Sequence, residues 1–401
     1  MNQNSPASAQ LDRIQWRAFV VGFAGLAACL AGYLSNHESF YPSYLMAWLF
    51  WTGIATGCMA LLMVHYLSGG GWGFVIRRVL EAGTRTLTLM AVLALPLWFN
   101  IPRLYLWAQP EKVHGDKILE GKAAYLNVPF FVERTVFYFA VWILMAYFLN
   151  KWSDEQDKTG DPAIAGRLEA LSGPGLVFLG LTLTFHAMDW GMSLEPHWFS
   201  TMYGLQFIIG QVLGAMAFSI IITRALSSEE PHSKVLTPSH FHDLGNLMLA
   251  FTMLWAYISF SQFLIIWSAN LPEEIPWYRH RIDLGWQRIA LMLVLFHFAV
   301  PFVLLLSRDI KRKAKRVALV AVAMLIMRTV DLFWIIKPAF AKEGNGGFHV
   351  DWLDPCWIVG LGGVWIGFFC LNLKQRPLFP LHDPIGAEMA AARHGEHLEA
   401  A

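Results

Sequence analysis

The sequence predicts an all-α integral membrane protein with ten transmembrane helices. Of its 401 residues, 56% are hydrophobic and only 15% charged, whereas soluble domains are about 45–50% apolar and about 25% charged. Apolar runs of about 20 residues, the length a helix needs to cross about 30 Å of hydrocarbon, recur ten times. Lys and Arg gather on alternate connections between those runs, as the positive-inside rule requires. A soluble single-core enzyme and a disordered chain are both excluded.

The runs are Trp16–Leu34, Tyr44–Tyr66, Thr86–Trp107, Phe131–Lys151 and Pro174–Ser193 in the first half. The second half has Phe199–Thr223, Gly245–Ala269, Gly285–Ser307, Lys315–Pro338 and Pro355–Leu373. Each is expected to be helical, because lipid offers no partner for unpaired backbone groups. With the N-terminus inside, 19 Lys and Arg fall on the inner side. Only 7 fall outside, Lys342 among them, and four lie within spans: Arg103, Arg134, Arg288 and Arg328. This predicts a multi-pass protein of the bacterial inner membrane with both termini cytoplasmic. Residues 1–15 and 374–401 are expected to be cytoplasmic tails flanking a membrane domain over 16–373, the second of them mobile.

Between spans two and three, Trp72, Phe74, Val75, Val79 and Leu80 alternate with Arg77, Arg78 and Glu81. That pattern predicts an interfacial helix on the inner leaflet. In span ten, Gly360-Leu-Gly-Gly363 follows no strand, so it is a helix-packing motif rather than a dinucleotide loop.

Ionisable groups inside a bilayer are costly and default to paired or functional roles. Near the outer ends of spans three to five lie Arg103, Glu133, Arg134, His186 and Asp189. His186 and Asp189 are i and i+3, and share a helix face. These residues predict either a quinone head-group site, since quinol oxidation releases two protons, or the ion pairs Arg103–Glu133 and Arg134–Asp189. In the second half, Asp243 (beside His240 and His242), His297, Arg328 and Asp331 fall in order of depth, with Gln211 and Gln262 adding amides. They trace a candidate proton path, with His65 near the inner edge as a further candidate. Alternatively, Arg328 and Asp331 neutralise each other.

Several chemistries are argued against. The cysteines Cys29, Cys58, Cys356 and Cys370 form no CxxC pair, which removes zinc ribbons, Cys-ligated clusters and covalent haem attachment. Only His65, His186 and His297 lie within spans, at three different depths, so no pair of axial haem ligands is expected. No metal site and no P-loop is read. A net charge of +1 gives no general attraction for nucleic acid. No bound cofactor is therefore expected, a quinone or menaquinone being the one guest left open. Redox centres would belong to partners.

The string Asp189-Trp-Gly-Met-Ser-Leu-Glu-Pro-His-Trp-Phe-Ser-Thr-Met-Tyr-Gly204 closely resembles the signature of the ActF-type membrane subunits of alternative complex III, bacterial quinol:cytochrome c oxidoreductases. These are similar to the NrfD/PsrC integral membrane family. Asn246–Asn270 and Leu271-Pro-Glu-Glu-Ile-Pro-Trp-Tyr-Arg-His280 carry the same likeness. The resemblance implies two four-helix bundles, about 44–193 and about 199–338, with the first and last helices peripheral. It implies as partners a sister NrfD-like subunit of the ActC type, multihaem and monohaem cytochrome c subunits, an iron–sulfur subunit, small membrane anchors and lipid. Haem and iron–sulfur centres would sit in those partners, and quinol oxidation mainly in the sister subunit. The chain itself would then serve assembly and proton translocation, or alternatively bind quinone. The signature turn with Glu195, His197 and Trp198 is expected to touch an outer-side partner. A passive scaffold and a stand-alone transporter are the competing classes. The only mid-span breaks, Pro96 and Pro301, do not favour a transporter.

Overall fold

A computed structural model describes residues 6–35, 37–341, 347–380, 382, 383 and 386. Lys342 and the stretch 387–401 of the expected C-terminal tail lie outside the described residues.

Ten helical spans are long and apolar enough to cross a membrane. They are α1 (Ser8–Leu34), α2 (His37–Ser68), α3 (Gly71–Trp98), α4 (Val128–Thr159) and α5 (Ala163–Leu194), then α6 (Met202–Leu226), α7 (Pro238–Ala269), α8 (Gln287–Leu306), α9 (Ala314–Phe340) and α10 (Leu353–Lys374). No strand occurs among the described residues.

Local chemistry sets the ends. The Asn127 side chain accepts from Phe130 N at the start of α4, and Gly160 closes that helix at φ 67°, where a side chain would be strained. Thr237 and His240 form a reciprocal capping box at the start of α7.

The spans alternate in direction. One face, here the terminal face, carries the start of α1 and the end of α10, which the Lys374–Asp12 ion pair joins. The far face carries the opposite helix ends.

α2 is the hub, with 94% of its most apolar window buried against 17% for α1. It packs on α3, α5, α6 and α10, while α4 packs on α3 and α5, and α6 contacts α7 and α9. α1 rests mainly on α10. There the glycine motif allows backbones to meet: a Cβ on Gly363 would lie 2.4 Å from the Gly22 Cα.

Three expectations need correction. The segment Gly71–Thr84 is not an interfacial helix. It is the first part of α3, and Arg77, Arg78 and Glu81 are 1%, 3% and 2% exposed. The amphipathic pattern is real, but its polar face meets acids from distant segments rather than water. α3 then breaks, where the Thr84 and Thr86 hydroxyls each donate to a carbonyl three residues back. The first helix already begins at Pro6, well inside the expected N-terminal tail. Residues just after α10 are not a loose tail either: Leu378 and Phe379 are buried, and Phe379 stacks on Phe74.

Candidate functional site

In the first half, Asp189 and Arg134 are brought together, from α5 and α4. Arg134 Nε and Nη2 donate to the two Asp189 oxygens at 2.9 Å each. Tyr138 OH donates to Oδ2 at 2.8 Å, and Arg134 also donates to the Tyr125 carbonyl at 2.9 Å. The guanidinium lies over the Tyr125 and Phe130 rings. Both carboxylate oxygens are thus engaged, and Asp189 is fully buried.

His186, one turn away, does not join them. Its ring is walled in by Trp48, Tyr138, Trp142 and Trp190, at centroid distances between 5.2 and 6.4 Å. Neither ring nitrogen has a hydrogen-bond partner. The expected five-residue cluster is therefore reduced to one pair. Glu133 points outward on α4, and Arg103 reaches the partly buried ring of Tyr41 and the Tyr33 hydroxyl at 3.5 Å instead. The Arg103–Glu133 pair does not form, because consecutive residues 133 and 134 cannot both face the bundle interior.

In the second half, α7, α8 and α9 converge on a second buried site. Arg328 pairs with Asp331 one turn along α9. Trp255 Nε1 donates to Asp331 Oδ2 at 3.3 Å, while Oδ1 is buried without a partner. The Trp255 ring lies 4.2 Å from the His297 ring, whose nitrogens are both buried, with the Met327 backbone as their one protein neighbour within hydrogen-bonding reach. His297 sits in a π-helical turn, Leu293–Ala299. Pro301, four residues on, cannot donate to the His297 carbonyl, which favours that widened turn. Gly210 on α6 makes room for the cation, since a Cβ there would fall 2.4 Å from Arg328 Cζ. On the same helix, Gln211 accepts from Thr56 at 3.0 Å, leaving its amide nitrogen unpartnered. Gln262, two turns beyond Trp255 on α7, has neither amide atom satisfied.

Two path residues lie apart from this site. Asp243 is at the terminal face, half exposed, 3.5 Å from His242. His65 packs on Gly73, beside the rings of Tyr66 and Trp72.

A third polar cluster was not anticipated. At the terminal face Glu81 receives Arg77, Arg78 and Arg376 at 3.0, 2.6 and 3.3 Å. Arg77 also holds Asp383 at 2.5 Å, and Arg78 holds Asp157. Three cations and three carboxylates balance. The signal was the close spacing of Arg77, Arg78 and Glu81 in an apolar segment; their remaining partners lie dozens to hundreds of residues away.

Two of the three residues picked out in the signature turn, Glu195 and Trp198, are engaged within the chain. Glu195 binds Arg281 at 2.5 Å and His280 at 2.9 Å. Burial alone would raise the Glu195 carboxyl, but Arg281 and His280 outweigh it and hold it below the ordinary range. Trp198 is buried and stacks on Trp277 at 4.7 Å. His197 contacts Asp116 at 2.6 Å and, like Phe199, keeps substantial exposure. The string thus fastens the loop after α5 to the loop before α8.

Among the described residues, no three His, Cys, Asp or Glu side chains converge closely enough to share a metal ion. No protein-family model matches the chain, and no curated protein matches it.

Proposed function

We propose that this chain is a membrane subunit of a quinol-oxidising electron-transfer complex of the alternative complex III type. In it the chain supports assembly and conducts protons linked to quinol oxidation in a sister subunit. The complex would lie in a bacterial inner membrane with both termini of this chain in the cytoplasm, an orientation supported by the Lys and Arg asymmetry. Haem and iron–sulfur centres belong to partners in this reading.

The observation that carries it is the pair of unsatisfied groups on either side of Trp255. A proton relay needs groups with a free lone pair or a free N–H in a site that water can bridge. Asp331 has a free oxygen, and His297, whose ring reaches the Met327 backbone, keeps a ring nitrogen without a protein partner. Asp189, by contrast, has both oxygens taken by Arg134 and Tyr138, and so serves as a rivet. Buried polar atoms without protein partners are commonly satisfied by ordered water. The two four-helix groups that the sequence resemblance implies, with α1 and α10 peripheral, are part of this reading.

The test is the ratio of protons translocated to electrons transferred by the intact complex in proteoliposomes. Asp331→Asn and His297→Gln should lower that ratio while quinol oxidation continues. An unchanged ratio in fully assembled variants would establish the scaffold role instead.

A further inference from the structure

α4 and α10 both run toward the terminal face, and both lie against α3. Between them is an open groove of about 410 Å³. Its two walls are matched ladders. On α4, Ile143, Tyr147 and Lys151 follow one another at four-residue intervals, and Phe368, Asn372 and Arg376 do the same along and just past α10. Residues four apart share a helix face. Each wall therefore passes from apolar, toward the middle of the span, to polar or cationic at the terminal face. Arg85 on α3 closes the polar end. Lys151 ends the apolar run of α4, and the residues beyond it are rich in charge, so the cations sit at the edge of the hydrocarbon.

The charge at that end is not balanced. Arg376 is engaged by Glu81 and lies 4.0 Å from Asp154. Arg85 binds only amides, Asn150 Oδ1 and Gln375 Oε1, each at 2.9 Å. Among the described residues Lys151 forms no ion pair, and its ammonium lies 5.8 Å from the Tyr147 ring centroid. The Asn372 amide nitrogen is buried without an acceptor. Two cations with no carboxylate bonded to them and a spare donor at the headgroup level, above an apolar trough, fit the phosphodiester and one acyl chain of a lipid.

The geometry points to a binding site for an acidic glycerophospholipid between α4 and α10, its phosphate held by Arg85 and Lys151 and its chain lying along Ile143, Tyr147 and Phe368. A zwitterionic lipid would bring its own cation against Arg85 and Lys151, so the site discriminates by charge. This proposal does not depend on the redox reading.

The experiment is native mass spectrometry and thermal unfolding of the full-length protein, delipidated in mild detergent and titrated with phosphatidylglycerol, phosphatidylcholine or sodium phosphate. One phosphatidylglycerol per chain should be retained, at least tenfold more tightly than phosphatidylcholine, and should raise the unfolding temperature. Lys151→Glu, at an exposed position that folding does not need, should weaken retention at least tenfold, and Arg85→Gln should do likewise. Equal retention of phosphatidylcholine overturns the proposal, as does retention unchanged in Lys151→Glu. Protection by sodium phosphate equal to that by phosphatidylglycerol makes it a free-anion site and overturns the lipid assignment.

Discussion

Trp255 donates its indole N–H to Asp331 at 3.3 Å while its ring lies 4.2 Å from His297. One side chain thus spaces a carboxylate on α9 from an imidazole on α8. The first half has a related set with a different outcome. There Trp142 lies beside His186, but Tyr138 and Arg134 take the carboxylate of Asp189 completely. Both halves bury an Arg–Asp pair and a His near an indole. Only the second leaves a carboxylate oxygen free.

Arg134→Ala should destabilise the protein by about 3–5 kcal/mol, because it strands the Asp189 charge in a dry interior. Thermal unfolding in detergent measures this. The double variant Arg134→Met with Asp189→Leu should recover most of the loss, since removing both charges also removes their desolvation penalty. A double variant as weak as the single one would mean the pair does more than hold α4 to α5.

Gly210→Ala tests how tightly the second site is built. The added methyl group falls 2.4 Å from Arg328 Cζ, so the guanidinium must move away from its place beside Asp331. Overpacking of this kind costs about 1–3 kcal/mol. Unfolding temperature should fall, and proton translocation by the assembled complex should fall with it. Gly166→Ala, where a Cβ meets nothing within 4 Å, is the control and should lower neither, its helical Ala being if anything stabilising.

Charge in this chain was easy to find and hard to pair from sequence. Nine of the ten spans lie where hydropathy sets them, because lipid imposes the same length and composition on each, but the third, expected over Thr86–Trp107, runs over Gly71–Trp98, its first turns disguised by Arg77, Arg78 and Glu81. The close packing of Gly360–Gly363 was visible too, since small residues at helical spacing have few other uses. Pairing is legible only in part. Of the three pairs that depth and spacing suggest, Arg134–Asp189 and Arg328–Asp331 form, while Arg103–Glu133, equally reasonable by depth, does not. Depth along a helix can be read at 1.5 Å per residue, but which face a residue presents depends on how helices rotate against each other. The terminal-face cluster was missed for a related reason. Its acids, Asp157 and Asp383, lie 79 and 306 residues from their arginine partners.

Two groups outside the spans set the acid side of the stability profile. Burial of His232 against Phe379 lowers its pKa to about 4. The unfolded chain then binds more protons between about pH 6.5 and pH 4, so stability falls as pH drops through that window, by up to about 3 kcal/mol. His232→Phe should flatten this part of the curve. Glu195 acts further down. Its folded pKa lies below the unfolded value, so its contribution is intact above the ordinary carboxylate range and is lost as pH falls through the folded pKa. Glu195→Gln should remove that last step and leave the His232 window unchanged. Unfolding temperatures measured from pH 7.5 to pH 3.5 separate the two.

His186 decides whether the first half also handles quinone. Four aromatic rings close on its imidazole, and no protein group satisfies either nitrogen. An imidazole buried in that way loses its hydration without a compensating bond, a cost of about 1–3 kcal/mol. If the box is only packing, His186→Leu removes that cost. The variant should then be as stable as the parent or more so, and quinol turnover by the assembled complex should be unchanged. If instead the rings part to admit a quinone head group, the imidazole is its hydrogen-bond partner. His186→Leu would then raise the KM for quinol at least tenfold while assembly stays normal. The two outcomes differ in sign for stability and in size for KM. Together they separate a packed box from a gated pocket.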